Sequence, residues 1–260
     1  MKFLTVVYLS ITLALIFARP LLAQDVQAGL VSYWNFDEGT GDIVNDIVGN
    51  NDCTIKNKPT WVKGKFDGGL ELDGIGNFLD CGDDKSLDIT DTLTIAAWVK
   101  IAAFGNWDGI VTKGINSGPY AMQMWGDGAL RFSPNWGNPA GAVGAGSFNT
   151  NNKMVAGEWT HAAITYDGDK ANFYINGEQD KLEVKQDFTF GVVKESLILG
   201  CDFPGGDEYF DGVMDEFFIY SRALTEAEIS QVMDGGEGVL SVNRSGKLSV
   251  TWGMIKDFVR

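Results

Sequence analysis

A single histidine, His161, limits the covalent chemistry open to this chain. Any Ser-His-Asp or Cys-His arrangement must pass through it. It lies inside Thr160-His-Ala-Ala-Ile-Thr-Tyr166, a strand-like run where a structural hydrogen bond is expected rather than general-base work. No Gly-x-Ser-x-Gly turn and no His-Glu-x-x-His helix occurs. Carboxylates number 35, but glycosidic hydrolysis needs two of them about 5–10 Å apart across a cleft. Asp211 and Asp215 fall on one side of a strand, and Asp207-Glu208 falls in a loop, without making such a pair evident. The expectation is a protein without catalysis.

Binding chemistry is better represented. Between Phe104 and Phe148, Trp107, Trp125, Phe132 and Trp136 stand among Asn106, Asp108, Asp127, Asn135, Asn138 and many glycines. Aromatic rings stack on the apolar faces of sugars, and amides or carboxylates bond to hydroxyls. Trp136, in Pro134-Asn-Trp-Gly-Asn138, reads as loop-borne and heads the candidates, with Trp107, Asn135, Asn138 and Trp125 beside it. A core position is the competing reading for Trp125. The loop Asp202-Phe-Pro-Gly-Gly-Asp-Glu-Tyr209 is a further candidate border of a site.

The elements that must hold these residues are strands. Short apolar runs recur between Gly, Asp and Asn clusters, with 33 glycines and only 6 prolines, which is an all-β pattern. Thr92 to Ile101 is a strong strand, with Trp98 read as core. From Gly157 to Glu178 the chain reads as a hairpin around Asp167-Gly168. Ala162, Ile164, Tyr166, Ala171, Phe173 and Ile175 share its packed face. The opposite face, with Asn172, Tyr174 and Asn176, faces water or floors a ligand groove. One helix is expected after Thr225, whose hydroxyl and Glu228 form a capping box. Gly235-Gly236 is its expected stop, and both Glu226 and Glu228 are expected to face solvent.

The ends differ from the middle. Residues 1–23, a basic start followed by an apolar run and Leu21-Leu22-Ala23, read as a secretory signal peptide, so a secreted protein is expected. No later segment is apolar enough to span a membrane. The formal charge is −15, and removing Lys2 and Arg19 makes it −17. Such acidity argues against nucleic acid as a partner and suits calcium. Residues 24–236 read as one domain, and 237–260 as a less acidic tail, either a terminal strand or a docking segment. Asn243-Arg-Ser245 is a glycosylation sequon. In an oxidising compartment one pair among Cys53, Cys81 and Cys201 is expected. Cys53–Cys81 is favoured because both lie in strand-like runs of the N-terminal third, although spacing alone leaves the other pairings open.

Several segments, taken in order, carry a resemblance. They are Gly29-Leu-Val-Ser-Tyr-Trp-Asn-Phe-Asp-Glu-Gly-Thr-Gly41, Phe66-Asp-Gly-Gly-Leu-Glu-Leu-Asp-Gly74 and Leu93-Thr-Ile-Ala-Ala-Trp-Val99. Gly157-Glu-Trp-Thr-His161 and Phe210-Asp-Gly-Val-Met-Asp-Glu-Phe-Phe-Ile-Tyr220 follow. Residues 28–234 thereby resemble the LamG-like jellyroll domains of the concanavalin A-like lectin/glucanase superfamily. The resemblance implies a jellyroll sandwich of two antiparallel sheets with one short C-terminal helix, binding a carbohydrate or an extracellular protein surface. It also implies a structural calcium near Asn35, Asp73 and Asp215, with Asn77 adding an oxygen. The competing reading is that Asp73 caps its own turn and Asp215 bonds to backbone. Asp46, with Asn50 and Asp52, is a second calcium candidate. The Glu-x-Asp-x-x-Glu strand of the superfamily's glucanases is missing here.

Overall fold

The structure, a computed structural model, describes residues 25–116 and 118–240. The expected signal peptide, the segment from 241 and its sequon at Asn243 lie outside them.

Along the chain run β1 (Leu30–Trp34), β2 (Ile43–Val44), β3 (Cys53–Lys56), β4 (Thr60–Lys63), β5 (Gly68–Asp73), β6 (Phe78–Asp80) and the long β7 (Leu93–Ala103). Next come β8 (Gly109–Lys113), β9 (Tyr120–Met124), β10 (Ala129–Phe132) and β11 (Phe148–Lys153). The hairpin is β12 (Trp159–Tyr166) with β13 (Lys170–Ile175). The last strands are β14 (Glu178–Gln179), β15 (Val184–Lys185), β16 (Leu197–Leu199) and β17 (Asp211–Tyr220). Two short helices close the order, α1 (Glu226–Val232) and α2 (Gly235–Leu240).

These strands make two antiparallel sheets. The first has the order β14-β13-β12-β7-β17-β5-β4, with β1 added on β17 and β15 on β13. The second has the order β11-β10-β9-β8-β16-β6-β3-β2. This is the jellyroll sandwich expected from the sequence. Alternation builds the core: Leu93, Ile95, Ala97, Val99 and Ile101 of β7 face Met122, Leu130, Phe132 and Leu199 of the other sheet's strands within one buried cluster. Cys53 and Cys81 are joined across the β3–β6 ladder, as expected, and Cys201 is free and buried.

A bulge in β17 resets the alternation. Its register against β7 shifts between Asp215 and Phe218, and Glu216 takes φ 51°. Met214, Phe217 and Ile219 all point into the core, so Asp215 and Glu216 both reach the outer face of the first sheet.

That outer face is covered. Tyr33, Ala96, Ala163, Tyr174 and Phe218 pack against Val26, Leu224, Ile229, Val232 and Val239 in a second buried cluster. The far side of the β12–β13 hairpin therefore meets the helices at Ala163 and Tyr174, while Asn172 is half-buried and Asn176 exposed at its edge. Asn176 accepts the His161 backbone N–H, and Asn172 accepts from Gln179. Two expectations about the helices are corrected. Glu228 completes the capping box with Thr225 but is buried in an ion pair with Arg222 at 2.6 Å, rather than facing solvent. Gly235-Gly236 follows one helix only to begin another, α2. A Cβ on Gly236 would stand 2.2 Å from the Tyr33 hydroxyl, which is why glycine is needed there.

Candidate ligand-binding face

The outer face of the second sheet is built from polar residues set singly into apolar strands. Arg131 stands opposite Asn149 on β11 and Gln123 on β9. Thr112 stands between Ala121 and Ile198, one row further along. Because their neighbours Met122, Leu130, Phe132 and Val111 face the core, alternation drives these side chains outward. Arg131 donates from Nη1 to Asn149 Oδ1 (2.9 Å) and from Nε to Ser133 Oγ (3.3 Å). Ser133 in turn donates to Gln123 Oε1 at 2.7 Å.

Three tryptophans roof this face. The guanidinium carbon of Arg131 lies 3.8 Å from the Trp107 ring centre and 4.7 Å from that of Trp125. Trp107 meets Trp125 edge-on at 5.1 Å and Trp136 at 5.6 Å with a 42° tilt. The structure thus brings Trp107, Trp125 and Trp136 together. Trp107 and Trp125 are half-buried outside the hydrophobic core clusters, and Trp136 is 44% exposed. Trp107 holds φ 74°, costly for a bulky side chain by about 1–3 kcal/mol. The loop pins it: Gly105 N–H donates to Asp108, Gly126 N–H to Asn106, and the Trp107 N–H to the Met124 carbonyl.

Most of the asparagines and aspartates expected to meet a ligand serve the loops instead. Asn135 is fully buried, donating to the carbonyls of Val143, Gly144 and Thr189 and accepting from Gly191 N–H, so it anchors the Trp136 loop and is withdrawn as a ligand group. Asp127 accepts from Ala129 N–H and pairs with Lys153. Asn138 is exposed on the same loop as Trp136. Gln123, Arg131, Asn149 and Thr112 were not singled out from the sequence. The signal was present as lone polar residues at period 2 in Tyr120-Ala-Met-Gln-Met124 and Ala129-Leu-Arg-Phe132.

Carboxylates gather beside the rings. Asp202 accepts from Thr112 Oγ1 at 2.7 Å and shares a hydrogen bond with Glu208. Burial, then the Asp202 charge and that bond, push Glu208 up from the usual carboxylate range. Burial pushes Asp108 up to about 6 against the Gly105 N–H, with help from Asp211 and Asp207. Direct contact places Asp202 and Glu208 closer than the roughly 5–10 Å of glycosidase carboxyl pairs.

His161 is buried on the covered face of the first sheet, edge-on to Trp98 at 5.4 Å. Neither ring nitrogen has a hydrogen-bond partner, so the expected structural bond is absent, and burial lowers its pKa to about 3. The imidazole is packing material, neutral at physiological pH.

The four residues expected around calcium do not fit one site. Asp73 Oδ1 caps its own turn, accepting from the N–H groups of Ile75, Gly76 and Asn77. Asn77 accepts from Asp73 N–H and donates to the Asn57 carbonyl. The Asn35 amide donates to Asp37. Asp73 stands opposite Asp211, four residues before Asp215 and therefore about 13 Å from it along the strand. Asp215 accepts from Phe66 N–H with Oδ2, leaving Oδ1 buried without a partner, and burial foremost pushes it up to about 8. Asp46 is saturated by the N–H groups of Tyr33, Val48, Gly49 and Asn51. Among the described residues, no three His, Cys, Asp or Glu side chains gather as metal ligands.

A family model described as the concanavalin A-like lectin/glucanases superfamily matches residues 73–230. The chain belongs to that superfamily. Among solved structures it resembles domain 4 of AbnA, a GH43 extracellular arabinanase from Geobacillus stearothermophilus, in complex with arabinotriose. The identity is 20%, covering 78% of this chain and 97% of that one, with a TM-score of 0.61. It resembles the binding domain of Paraclostridial Mosquitocidal Protein 1 at 17% identity, covering 80% of this chain and 52% of the other, with a TM-score of 0.62. Trypanosoma rangeli sialidase in complex with the inhibitor DANA follows at 16% identity, covering 78% and 32%, with a TM-score of 0.55. At these identities the likeness shows the fold. No curated protein matches the sequence. Among the described residues, no helix is long and apolar enough to cross a membrane.

Proposed function

We propose that this chain is a secreted, non-catalytic glycan-binding module whose ligand lies on the rings of Trp136 and Trp107. The carrying observation is the exposure of Trp136 on a loop whose anchor, Asn135, is fully buried. A rigidly held, half-open aromatic surface loses little entropy when a sugar stacks on it. The arabinotriose complex of the AbnA domain supports the reading by showing a similar fold holding an oligosaccharide. A second reading, docking on an extracellular protein, is favoured by Ile115 and Val192, which are exposed on loops adjoining the Trp136 loop.

The test is a glycan array probed with the wild-type chain and with Trp136→Ala. Retention of saccharides by the wild type, weakened about tenfold or more in the variant with its thermal midpoint unchanged, is the expected result. An array on which nothing is retained overturns the glycan reading.

A further inference from the structure

We propose that this face, read as a glycan platform, takes neutral saccharides and rejects uronates, sialosides and sulfated sugars, and that Arg131 positions Trp107 instead of meeting the ligand. The inference rests on the glycan reading above. An arginine among tryptophans invites the opposite conclusion, an anion receptor, so its surroundings decide the matter. Arg131 is only 6% exposed. Its planar guanidinium is stacked under the Trp107 ring, and two of its nitrogens are already spent on Asn149 and Ser133. An incoming carboxylate would have to lift the ring to reach it. Its charge is also answered from within the protein, because Asp202 acts on it electrostatically.

The surroundings of the rings add negative charge. Asp108 follows Trp107 directly, and Asp202 with Glu208 borders the same end of the sheet. Asp108 and Glu208 both hold protons more tightly than ordinary carboxylates, partly because further negative charge is near. Lys153, at the neighbouring turn, is spent on Asp127 at 2.8 Å. A sugar anion would therefore meet like charge with no free cation among the described residues in contact with the rings, whereas a neutral sugar offers its apolar face to Trp136 and carries no charge to be repelled. Arg131 then has a different role. Stacked between two rings and tied to β11, it helps hold Trp107 in its strained φ.

Tryptophan fluorescence of the full chain distinguishes these roles. It is titrated with neutral oligosaccharides of arabinose, xylose, glucose and mannose, and with oligogalacturonate and sialyllactose, at low and high salt. The expected result is saturation by a neutral series with an affinity insensitive to salt, and acidic sugars weaker by about tenfold or more. Arg131→Lys should lose the neutral ligand despite keeping its charge, because an ammonium does not stack as a plane. Its near-ultraviolet circular dichroism should report a changed tryptophan environment, while its far-ultraviolet spectrum stays native. Acidic sugars binding more tightly at low salt, with Arg131→Lys retaining them, would overturn the proposal while leaving the platform standing. Failure of both series would remove the platform and the proposal together.

Discussion

The sandwich has two outer faces, and both carry aromatic surface. On the first sheet, Tyr33 lies flat on Phe218 at 4.3 Å, and Trp98 stands edge-on to Phe66 and His161. On the second, Trp107 gathers Trp125 and Trp136. The difference lies in what covers them. The chain returns over the first face: Trp98 donates to the Met233 carbonyl, and Tyr33 donates to Glu216, which also accepts the Gly236 N–H. Trp98 is left 6% exposed where Trp136 is 44% exposed. One face is closed by the returning chain, and the other keeps a ring in solvent. Aromatic content therefore does not mark a binding surface by itself, and the proposed glycan site rests instead on a rigidly anchored ring left uncovered.

The comparison is broken most forcefully by opening the covered face. Gly236→Val sets a branched side chain where a Cβ already lies 2.2 Å from the Tyr33 hydroxyl, so α2 must leave Glu216 or Tyr33 must leave Phe218. A loss of about 3–5 kcal/mol is expected, as for other overpacked or unpaired buried groups. Differential scanning calorimetry should show a fall of roughly 10 °C, and quenching should show Trp98 newly accessible. An unchanged melting profile would mean that the helices are not a structural cover.

The next effect is on the open face. Asn135→Ala removes a fully buried amide with four hydrogen bonds and places alanine at φ 52°, a conformation asparagine tolerates better. About 2–3 kcal/mol of stability should be lost, together with ligand retention, since the Trp136 loop loses its anchor. Asn138→Ala, exposed and three residues away but itself at φ 53°, should lose only the backbone cost of alanine in that conformation, about 1 kcal/mol, and no buried hydrogen bond. Equal stability of the two variants in urea titration would show that burial does not separate their roles.

What the sequence reveals follows the same division. Strands such as β7, β12 and β17 are legible because both of their faces are buried, which makes them long, mostly apolar runs. Phe148-Asn-Thr-Asn-Asn-Lys153 forms β11 although it is almost entirely polar, because pairing with β10 supplies what its side chains do not. The Trp136 loop is legible as a loop, but the task of Asn135 is not. Asparagine suits both a ligand hydroxyl and a left-handed turn, and only burial separates the two. Gln123 and Arg131 escape notice because one polar residue in a short apolar strand looks like solvent exposure until the rings above it are in place. The covering of the first face is hidden for another reason. It depends on a bulge at Glu216 that reverses the parity of β17, and nothing in Met214-Asp-Glu-Phe217 fixes a bulge by type.

The smallest effect concerns protons, and it separates the faces by carboxylate. Burial pushes Asp215 up to about 8 and Glu216 up to about 7 on the covered face. On the open side, Asp108 rises to about 6. A carboxyl whose pKa is raised in the folded state stabilises the fold while protonated in both states. That stability is lost as the pH climbs from the unfolded value, about 4, through the folded one. Asp73, Asp180 and Glu228 act in the opposite sense. Burial opposes their ionisation, but backbone N–H groups, or for Glu228 chiefly the Arg222 pair, outweigh it and hold them below their ordinary values. Their contribution is complete above about pH 5, and that of His161, whose pKa burial lowers to about 3, is complete above about pH 7, so the interval from pH 7 to 9 isolates the raised groups. The thermal midpoint should fall across that interval, by roughly 5 °C for a loss of one to two kcal/mol. Asp215→Asn should flatten most of the slope, because an amide keeps the acceptor for Phe66 N–H and replaces the protonated oxygen without a charge to form. Asp108→Asn should flatten it less. If the ranking is reversed, the open face holds the more deeply buried charge, and the contrast between a closed and an open side of the sandwich fails.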